Sequence, residues 1–340
     1  MKMHIGGKKE ECSKNMKVEN SNMEIVEELE FLGDILSSDG RNSKNIKNRI
    51  SRGVGIISQI FVILDHTAFG AKYFKVALLL RESLLINSVL SNSEAWYGTT
   101  EKELEELGQL DKLFFTRLLK IPKTTAEESF FLEFGILRLR DIIKQRRLNF
   151  LFSLANRNKE QSVYKVLRNQ WYHPCKNDWT EQIKKDLNDL GMGSLQLEDL
   201  ENIRKERFKE EVKEKVRLHA FEKLMLMKSR HSKLAKLNYK ELKMQEYLED
   251  RRTTIQEKIL TFKWRVRMER FEDNFRGGKE ETSCPLCKTH EDSQWKSFQC
   301  PIVMKEINVK EKYEYLFGQK ISKEFIQTLR SITSLRSKEI

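Results

Sequence analysis

Residues 29–64 read LEFLGDILSSDGRNSKNIKNRISRGVGIISQIFVIL, and within them the sequence pattern changes from that of a β-strand to that of a long helix. The apolar block at its start includes Phe31 and the β-branched Ile35, which are typical of a strand. The polar run from Ser37 to Gly40 then predicts a turn, because each of its residues favours reversal of the chain. A short β segment is therefore expected before the first helix.

The helix predicted after this turn is amphipathic and carries a basic surface. Its apolar residues recur at spacings of three and four, as one face of a helix requires: Ile46, Ile50, Val54, Ile57, Phe61 and Leu64. Four cations lie around the rest of its surface: Lys44, Lys47, Arg49 and Arg52. We predict that these four side chains contact a nucleic-acid backbone, because Lys and Arg neutralise phosphates.

Composition and charge narrow the class of protein. The 340 residues are 39% hydrophobic and 34% charged with only four prolines, which favours a helix-rich globular chain over disorder. The net charge of +12 and the pI near 9.3 favour RNA or DNA as a partner, although a solvated Lys-rich surface gives the same excess. The sequence shows no membrane-spanning run, no hydrophobic signal core and no disulfide framework. An intracellular protein without a membrane partner is expected.

Residues that are typical of helix ends occur at several positions along the chain. Capping boxes are predicted at Thr100 and Thr254, where a Glu follows three residues later. Further N-terminal caps are expected at Asp178 or Thr180 and at Ser322, and Gly135 is expected to end a short helix. Trp96 is predicted to lie in the core rather than to stack on a base.

Basic residues concentrate in the second half of the chain. Residues 201–272 hold 21 Lys or Arg against 13 Asp or Glu, a net charge of +8. Two more groups are predicted to contact nucleic acid: Arg146 and Arg147 on a middle helix, and Lys263, Arg265, Arg267 and Arg270 further on. The second group alternates with Trp264 and Phe271, which suits a groove for a nucleic-acid backbone or, about equally, a helix with a solvated basic face.

Three cysteines and a histidine cluster near the C-terminus with the spacing C-x2-C-x2-H-x9-C. The predicted ligands are Cys284, Cys287, His290 and Cys300. Three sulfurs and one imidazole fit a tetrahedral structural Zn²⁺, and the C-x-x-C pair places two sulfurs on one tight turn. The alternatives are a degenerate knuckle without metal and plain reduced cysteines.

Several of these motifs resemble one protein family. The segment FLGDILSSDG, followed by Ile-x-x-Arg-Ile at 46–50, resembles the palm-to-thumb junction of reverse transcriptases from non-LTR (LINE-type) retrotransposons. Residues 122–151 resemble the closing helices of that thumb, and CPLC…H…CP resembles a knuckle that follows it. In the family the knuckle histidine usually lies four or five residues before the final cysteine. Trp295 and Lys296 occupy those positions here, so His290 would have to replace it.

The resemblance implies a nuclear, RNA- or DNA-binding segment from downstream of a polymerase active site. The family activity is RNA-directed DNA polymerisation, for which a paired Asp-Asp holds two Mg²⁺ ions. The sequence has no Asp-Asp pair and no recognisable endonuclease, so we predict no catalytic residue and no Mg²⁺ site. The chain is therefore predicted to bind nucleic acid but to be inert alone. The alternatives are a helical interaction scaffold, or part of an active polymerase if the sequence is truncated.

The predicted fold class is mainly α, with a short β remnant at the N-terminus. The predicted regions follow one another along the chain: a palm-end β remnant at 1–40, a thumb-like helical bundle at 41–155, a basic helical connector at 156–275, a zinc knuckle at 276–302 and C-terminal helices at 303–340. The sequence does not indicate an oligomeric state.

Overall fold

The helical character expected from the sequence is confirmed in a computed structural model of the chain, with the strands of the described residues confined to the N-terminal region. The structure describes residues 17–18, 21–22, 26–31, 33–64, 69–175, 178–271, 274, 283–307, 309, 312–318 and 320–338. Contacts divide the chain into two compact units. The first unit comprises 1–58, 82–111 and 138–219, and the second comprises 59–81, 112–137 and 220–340. These units interleave along the chain, whereas the five predicted regions are consecutive.

The α-helices of the described residues vary from one turn to seven turns in length. In chain order they are α1 (Ser43–Ile63), α2 (Tyr73–Leu80), α3 (Asn87–Val89), α4 (Glu101–Leu119), α5 (Glu128–Phe134), α6 (Leu139–Ala155), α7 (Ser162–Tyr172), α8 (Trp179–Asp189), α9 (Leu197–Asn202), α10 (Lys205–Ser229), α11 (Glu246–Glu249), α12 (Ile255–Arg265), α13 (Pro301–Ile307) and α14 (Lys323–Arg336). A π-helix, Arg81–Ile86, joins α2 to α3. Short 3-10 turns occupy Gly70–Lys72, Ser93–Ala95, Lys296–Gln299 and Tyr313–Phe317.

Two antiparallel hairpins form the β remnant of the first unit. Strands β1 (Lys17–Val18) and β2 (Ser21–Asn22) make one, and β3 (Glu28–Phe31) and β4 (Asp34–Ser37) make the other. The stretch that the sequence predicts as one strand is thus a hairpin. Gly33 reverses the chain at φ +82°, a left-handed conformation that costs glycine little.

Helix α1 follows the predicted apolar period with one correction. Ile46 and Ile57 are buried as predicted, but Val54 is exposed and Gly53 lies on the buried face instead. A Cβ at Gly53 would lie 2.7 Å from a Leu110 methyl carbon, so the absence of a side chain lets α1 approach α4 closely. The buried face of α1 therefore includes a glycine, which a search for apolar residues at helical spacing does not detect.

Aromatic side chains fill the core of the second unit. Phe115 contacts the rings of Phe130 and Phe134 with centroids 5.3 and 5.1 Å apart, and Phe134 also contacts Phe74 at 5.5 Å. Phe262 of α12 extends this cluster by stacking on Phe130 at 6.2 Å. Such ring pairs add directional attraction to the burial of large apolar surfaces, so this cluster holds α2, α4, α5 and α12 together.

The predicted helix caps are confirmed at several ends. Thr100 and Glu103 exchange side-chain-to-backbone hydrogen bonds at the start of α4, and Thr254 and Glu257 do so at α12. The side chains of Asp178 and Ser322 accept backbone N–H bonds at α8 and α14. Gly135 ends α5 at φ +63°, and Trp96 is buried in the first unit. No helix within the described ranges is long and apolar enough to cross a membrane.

Candidate metal centre and basic surfaces

The cysteine segment folds into a tight turn of the second unit. Ser283 and Glu291 form an isolated antiparallel bridge, and the Cys284 N–H donates to the His290 carbonyl over 2.6 Å. Within this loop the Lys288 N–H donates to the Cys284 carbonyl over 2.9 Å. The backbone therefore closes around the C-x-x-C pair and directs both cysteines to one side.

Three thiols converge in this turn. The sulfurs of Cys284, Cys287 and Cys300 lie within 4.8 Å of one another, with Cys284 and Cys300 buried and Cys287 half-buried. Thiolates are soft ligands that bind Zn²⁺ and related metals, and a structural site gathers them in a small, shielded volume. The three cysteines therefore lie close enough to hold a metal ion.

His290, the predicted fourth ligand, is not in this three-thiol group. Its carbonyl accepts the Cys284 N–H, which ties its backbone to the turn. The assignment of His290 as a ligand stays a prediction. The three thiols alone would leave a fourth tetrahedral position for His290, for water or for another donor.

The thiols of the centre differ in acidity. Burial raises the pKa of Cys287, but hydrogen bonds from the Thr289 side chain and from the backbone of Thr289 and His290 outweigh it and lower that pKa to about 6. Burial raises the pKa of Cys300 to about 11, and the neighbouring thiols Cys287 and Cys284 add to this effect. Before a metal binds, negative charge is therefore concentrated on Cys287.

The segment that leads to Cys300 is held by the rest of the second unit. The Gln294 side-chain amide donates to the Trp264 carbonyl over 2.6 Å. Phe298 packs against Trp264 and stacks on Phe325, with ring centroids 5.9 and 5.8 Å apart. This docking against α12 and α14 supports residues 294–300 independently of any metal.

The four predicted cations of α1 have different surroundings. Arg49 is buried and donates to the Asp34 carboxylate over 2.7 Å and to the Ser88 carbonyl over 2.8 Å. Lys44 and Arg52 are exposed and pair with Glu28 and Glu30, while Lys47 is exposed. Arg49 is thus an internal ion-pair partner rather than a phosphate ligand, whereas the other three reach solvent.

The predicted pair on α6 is directed into the first unit. Arg147 is buried and donates to Asp186 over 2.6 Å. Arg146 is half-buried and donates to the Leu90 carbonyl and to the Asn87 side chain. Both side chains join α6 to its neighbours, so Arg147 is corrected from a candidate phosphate ligand to an internal ion-pair partner.

The basic and aromatic residues around α12 do not form an open groove. Arg265 is fully buried, and Trp264 and Phe271 pack on each other in the core with centroids 5.0 Å apart. Lys263 and Arg267 are half-buried, and Arg270 is exposed. Of this group, Arg265 is therefore also an internal ion-pair partner rather than a phosphate ligand.

A buried ion pair in the second unit was not predicted from the sequence. Arg265 Nε donates to Glu133 over 2.8 Å, both side chains are 0% exposed, and the Tyr239 hydroxyl donates to the same carboxylate. Arg265 also donates to the carbonyls of Leu316 and Gly318. Glu133 lies in an apolar run of α5, and a charge in such a run is the signal that could have indicated a buried pair.

Asp34→Asn is expected to lower the free energy of unfolding by about 3 kcal/mol at neutral pH, because it leaves buried Arg49 without its anion. Burial raises the pKa of Asp34, but hydrogen bonds from Asn92, Arg49 and Asn45 outweigh it, so that pKa lies below its usual value. Such a carboxylate stabilises the fold above its unfolded pKa and loses this contribution as pH falls through its folded pKa.

The difference between Asp34→Asn and the parent should therefore be smaller at pH 3 than at pH 7, as measured by urea denaturation. Glu105→Gln, at an exposed position of α4, is the control and should change stability by less than about 0.5 kcal/mol. A difference that stays the same at both pH values would contradict the ionic role of Asp34.

Comparisons with known proteins give no match: no family model, no curated protein and no solved structure matches this chain. The functional interpretation therefore rests on the residues themselves.

Proposed function

We propose that this protein is a nucleic-acid-binding fragment that resembles the post-palm region of a non-LTR reverse transcriptase and is stabilised by one structural Zn²⁺. The observation that supports it most is the convergence of Cys284, Cys287 and Cys300 in the segment that resembles the family knuckle. The net charge of +12 adds an independent reason to expect a polyanionic partner.

Zinc is the metal that this donor set favours. Three thiolates in a closed turn suit tetrahedral Zn²⁺, which takes sulfur ligands and needs no redox chemistry. His290, which follows the C-x-x-C pair in the same turn, is the proposed fourth ligand, with water as the alternative. A closed site of this kind contributes folding energy rather than catalysis.

Exposed cations are the proposed contacts to nucleic acid. Lys44, Lys47 and Arg52 of α1 and Arg270 after α12 are exposed. The ion pairs of Lys44 and Arg52 with acidic residues of β3 are solvent-exposed, and exposed pairs contribute only about 0–1 kcal/mol. Phosphates can therefore replace these carboxylates at little cost.

Replacing Lys44, Lys47 and Arg52 together by Gln is expected to weaken binding to RNA and DNA of any sequence. The slope of log affinity against log salt should also become shallower, by up to about 0.9 for each duplex phosphate that the variant no longer neutralises. Fluorescence anisotropy with a labelled mixed-sequence duplex, titrated at several salt concentrations, measures both quantities.

The matched control removes equal charge elsewhere in the first unit: Lys102, Lys165 and Lys185, all exposed, replaced by Gln. Its affinity should fall less than that of the α1 variant. Equal decreases in the two variants would mean that only net charge matters, and an unchanged affinity in the α1 variant would remove this helix from the interface.

The proposed location is the nucleus, as the family resemblance implies. A helical interaction scaffold without nucleic acid is the second candidate, and the burial of Arg49, Arg147 and Arg265 favours it, because these cations serve the fold. A third possibility, part of an active RNA-directed DNA polymerase, requires an Asp-Asp palm in a longer chain. Upstream coding sequence would reveal that palm directly.

A further inference from the structure

A cleft of about 250 Å³ lies beside the metal centre in the second unit. Three aromatic and three cationic side chains line it: Trp295, Tyr313, Phe317, Lys233, Lys236 and Arg267. The fold sets the positions of the aromatic residues, since Trp295 belongs to the knuckle and Tyr313 and Phe317 belong to one 3-10 turn.

Trp295 is the aromatic side chain best placed to meet a ligand in this cleft. It is 43% exposed, whereas Trp96, Trp171 and Trp264 are buried and Trp179 is half-buried. Its ring lies 6.4 Å from that of Tyr313, which in turn packs edge-on against Phe317 at 5.2 Å. An exposed indole supported by other rings is a platform on which a planar group stacks.

Cations surround this platform. Lys236 Nζ lies 5.8 Å from the centre of the Phe317 ring, and Lys233 donates to the Asn274 carbonyl. Arg267 Nε donates to the Asn274 side chain over 3.1 Å, which holds the guanidinium at the cleft. Among the described residues that line the cleft, the one carboxylate is Glu291, which pairs with Lys296 at 3.2 Å. The cleft therefore carries an excess of positive charge.

We propose that this cleft binds one unstacked base of a single-stranded nucleic acid on Trp295, with the flanking phosphates on Lys236 and its neighbouring cations. The proposal rests on the proposed function and makes it more specific, because it assigns single strands to a defined site. Aromatic stacking accepts every base, since each has a π face, and so the site has little sequence preference. A paired base inside a duplex does not present its face, so the platform discriminates against duplexes.

The test compares Trp295→Ala with the parent, using the full chain loaded with zinc and a labelled oligouridylate of about 15 nucleotides, long enough to cover one single-strand site. Trp295→Ala should weaken binding by about 5- to 100-fold, which corresponds to the removal of one stacked base. Affinity for a duplex of the same length should stay within about twofold. Trp295→Phe should restore much of the oligouridylate affinity, because it keeps an aromatic face.

Two controls separate stacking from damage to the fold. Tyr315→Ala removes an exposed aromatic residue of the same 3-10 turn that does not line the cleft, and it should bind like the parent. Lys236→Gln should weaken oligouridylate binding more than Lys240→Gln, at an exposed position outside the cleft. Zinc content is measured in every variant, since Trp295 lies between two cysteines of the centre.

The outcomes distinguish a failure of the cleft proposal from a failure of the proposed function. If Trp295→Ala keeps parental affinity for oligouridylate while the α1 variant binds duplex more weakly, the cleft is not the single-strand site and the proposed function stands. If the parent binds neither probe at low salt, both proposals fail. Equal decreases for oligouridylate and duplex would also overturn the stacking role.

Discussion

Glu133→Gln is expected to lower the free energy of unfolding by about 3–5 kcal/mol, the largest effect that we expect from a single substitution in this protein. The substitution keeps the shape of the side chain but removes the negative charge that faces Arg265 over 2.8 Å, where both side chains are fully buried. Burial disfavours the charged form of Arg265, but the attraction of Glu133 outweighs it, so the pKa of Arg265 lies above its usual value. An arginine guanidinium stays protonated in proteins, so in this variant Arg265 keeps its charge and is left in the core without its anion.

A double-mutant cycle isolates this interaction. Arg265→Met alone should also destabilise the protein, since it leaves Glu133 buried and unpaired, but the double variant should lose about 1–3 kcal/mol less than the sum of the single losses. Urea denaturation gives all three values. Glu241→Gln is the control, because its pair with Lys243 is exposed and should contribute less than about 1 kcal/mol. A decrease below about 1 kcal/mol for Glu133→Gln would contradict the role of the buried pair.

The second large effect that we expect is the loss of zinc affinity when one of the three cysteines is substituted. We expect purified protein to carry about one Zn²⁺ per chain, and Cys284→Ser or Cys287→Ser to weaken zinc affinity by more than about 100-fold. Each substitution removes one of three thiols, and removal of a supporting residue outside the ligand set already costs about 10–100-fold. Zinc content after dialysis and competition with a chelator measure these affinities.

The region that responds to removal of zinc should be local. Residues 283–292 depend on the turn around the C-x-x-C pair, whereas Phe298 is held by aromatic contacts to α12 and α14. Chelation should therefore speed amide exchange in 283–292 and change the far-UV circular dichroism little. Cys175→Ser, at an exposed cysteine outside the centre, should retain parental zinc affinity.

The variant His290→Ala tests the identity of the fourth ligand. His290→Ala should release zinc as the cysteine variants do if the imidazole is bound. Parental affinity in this variant would identify a three-cysteine site completed by water or another donor. A parent protein that carries no metal when expressed in reducing, zinc-supplied medium would contradict the centre itself.

Local signals in the sequence predicted much of the fold. The capping boxes at Thr100 and Thr254 and the left-handed Gly135 depend on residues within one turn, and each is confirmed at its helix end. The apolar period of α1 is also local and is nearly correct. It failed at Gly53, because close approach of Leu110 decides that position and no pattern within the helix records it.

Contacts that do not follow helical spacing explain part of what the sequence did not reveal. The sequence predicted a basic helical connector at 156–275, yet within it α10 ends at Ser229 and the short α11 begins only at Glu246. The Lys228 ammonium donates to the carbonyls of Ala235 and Leu237 and holds the intervening chain in turns. Bonds between a side chain and a carbonyl of another segment leave no periodic trace in the sequence.

Predictions of the candidate site residues also differ in outcome, according to whether they depend on local spacing or on the whole fold. The three cysteines were predicted from spacing: the C-x-x-C turn that pairs Cys284 with Cys287 is a local feature, and the structure brings Cys300 to the same place. The cations were predicted from charge alone, and Arg49, Arg147 and Arg265 are buried against carboxylates that lie 15, 39 and 132 residues away. Exposure depends on the whole fold, so charge patterning could not separate surface cations from internal ones.

The salt dependence of RNA binding by the unmodified, zinc-loaded protein decides whether this chain binds nucleic acid through its cations. Anisotropy of a labelled mixed-sequence RNA, titrated from low to physiological salt, should show affinity at low salt that falls linearly in a plot of log affinity against log salt. The slope should correspond to several released counterions, because the proposed contacts are cation–phosphate pairs. Absence of binding at low salt, or an affinity that does not change with salt, would contradict the account and favour the helical scaffold.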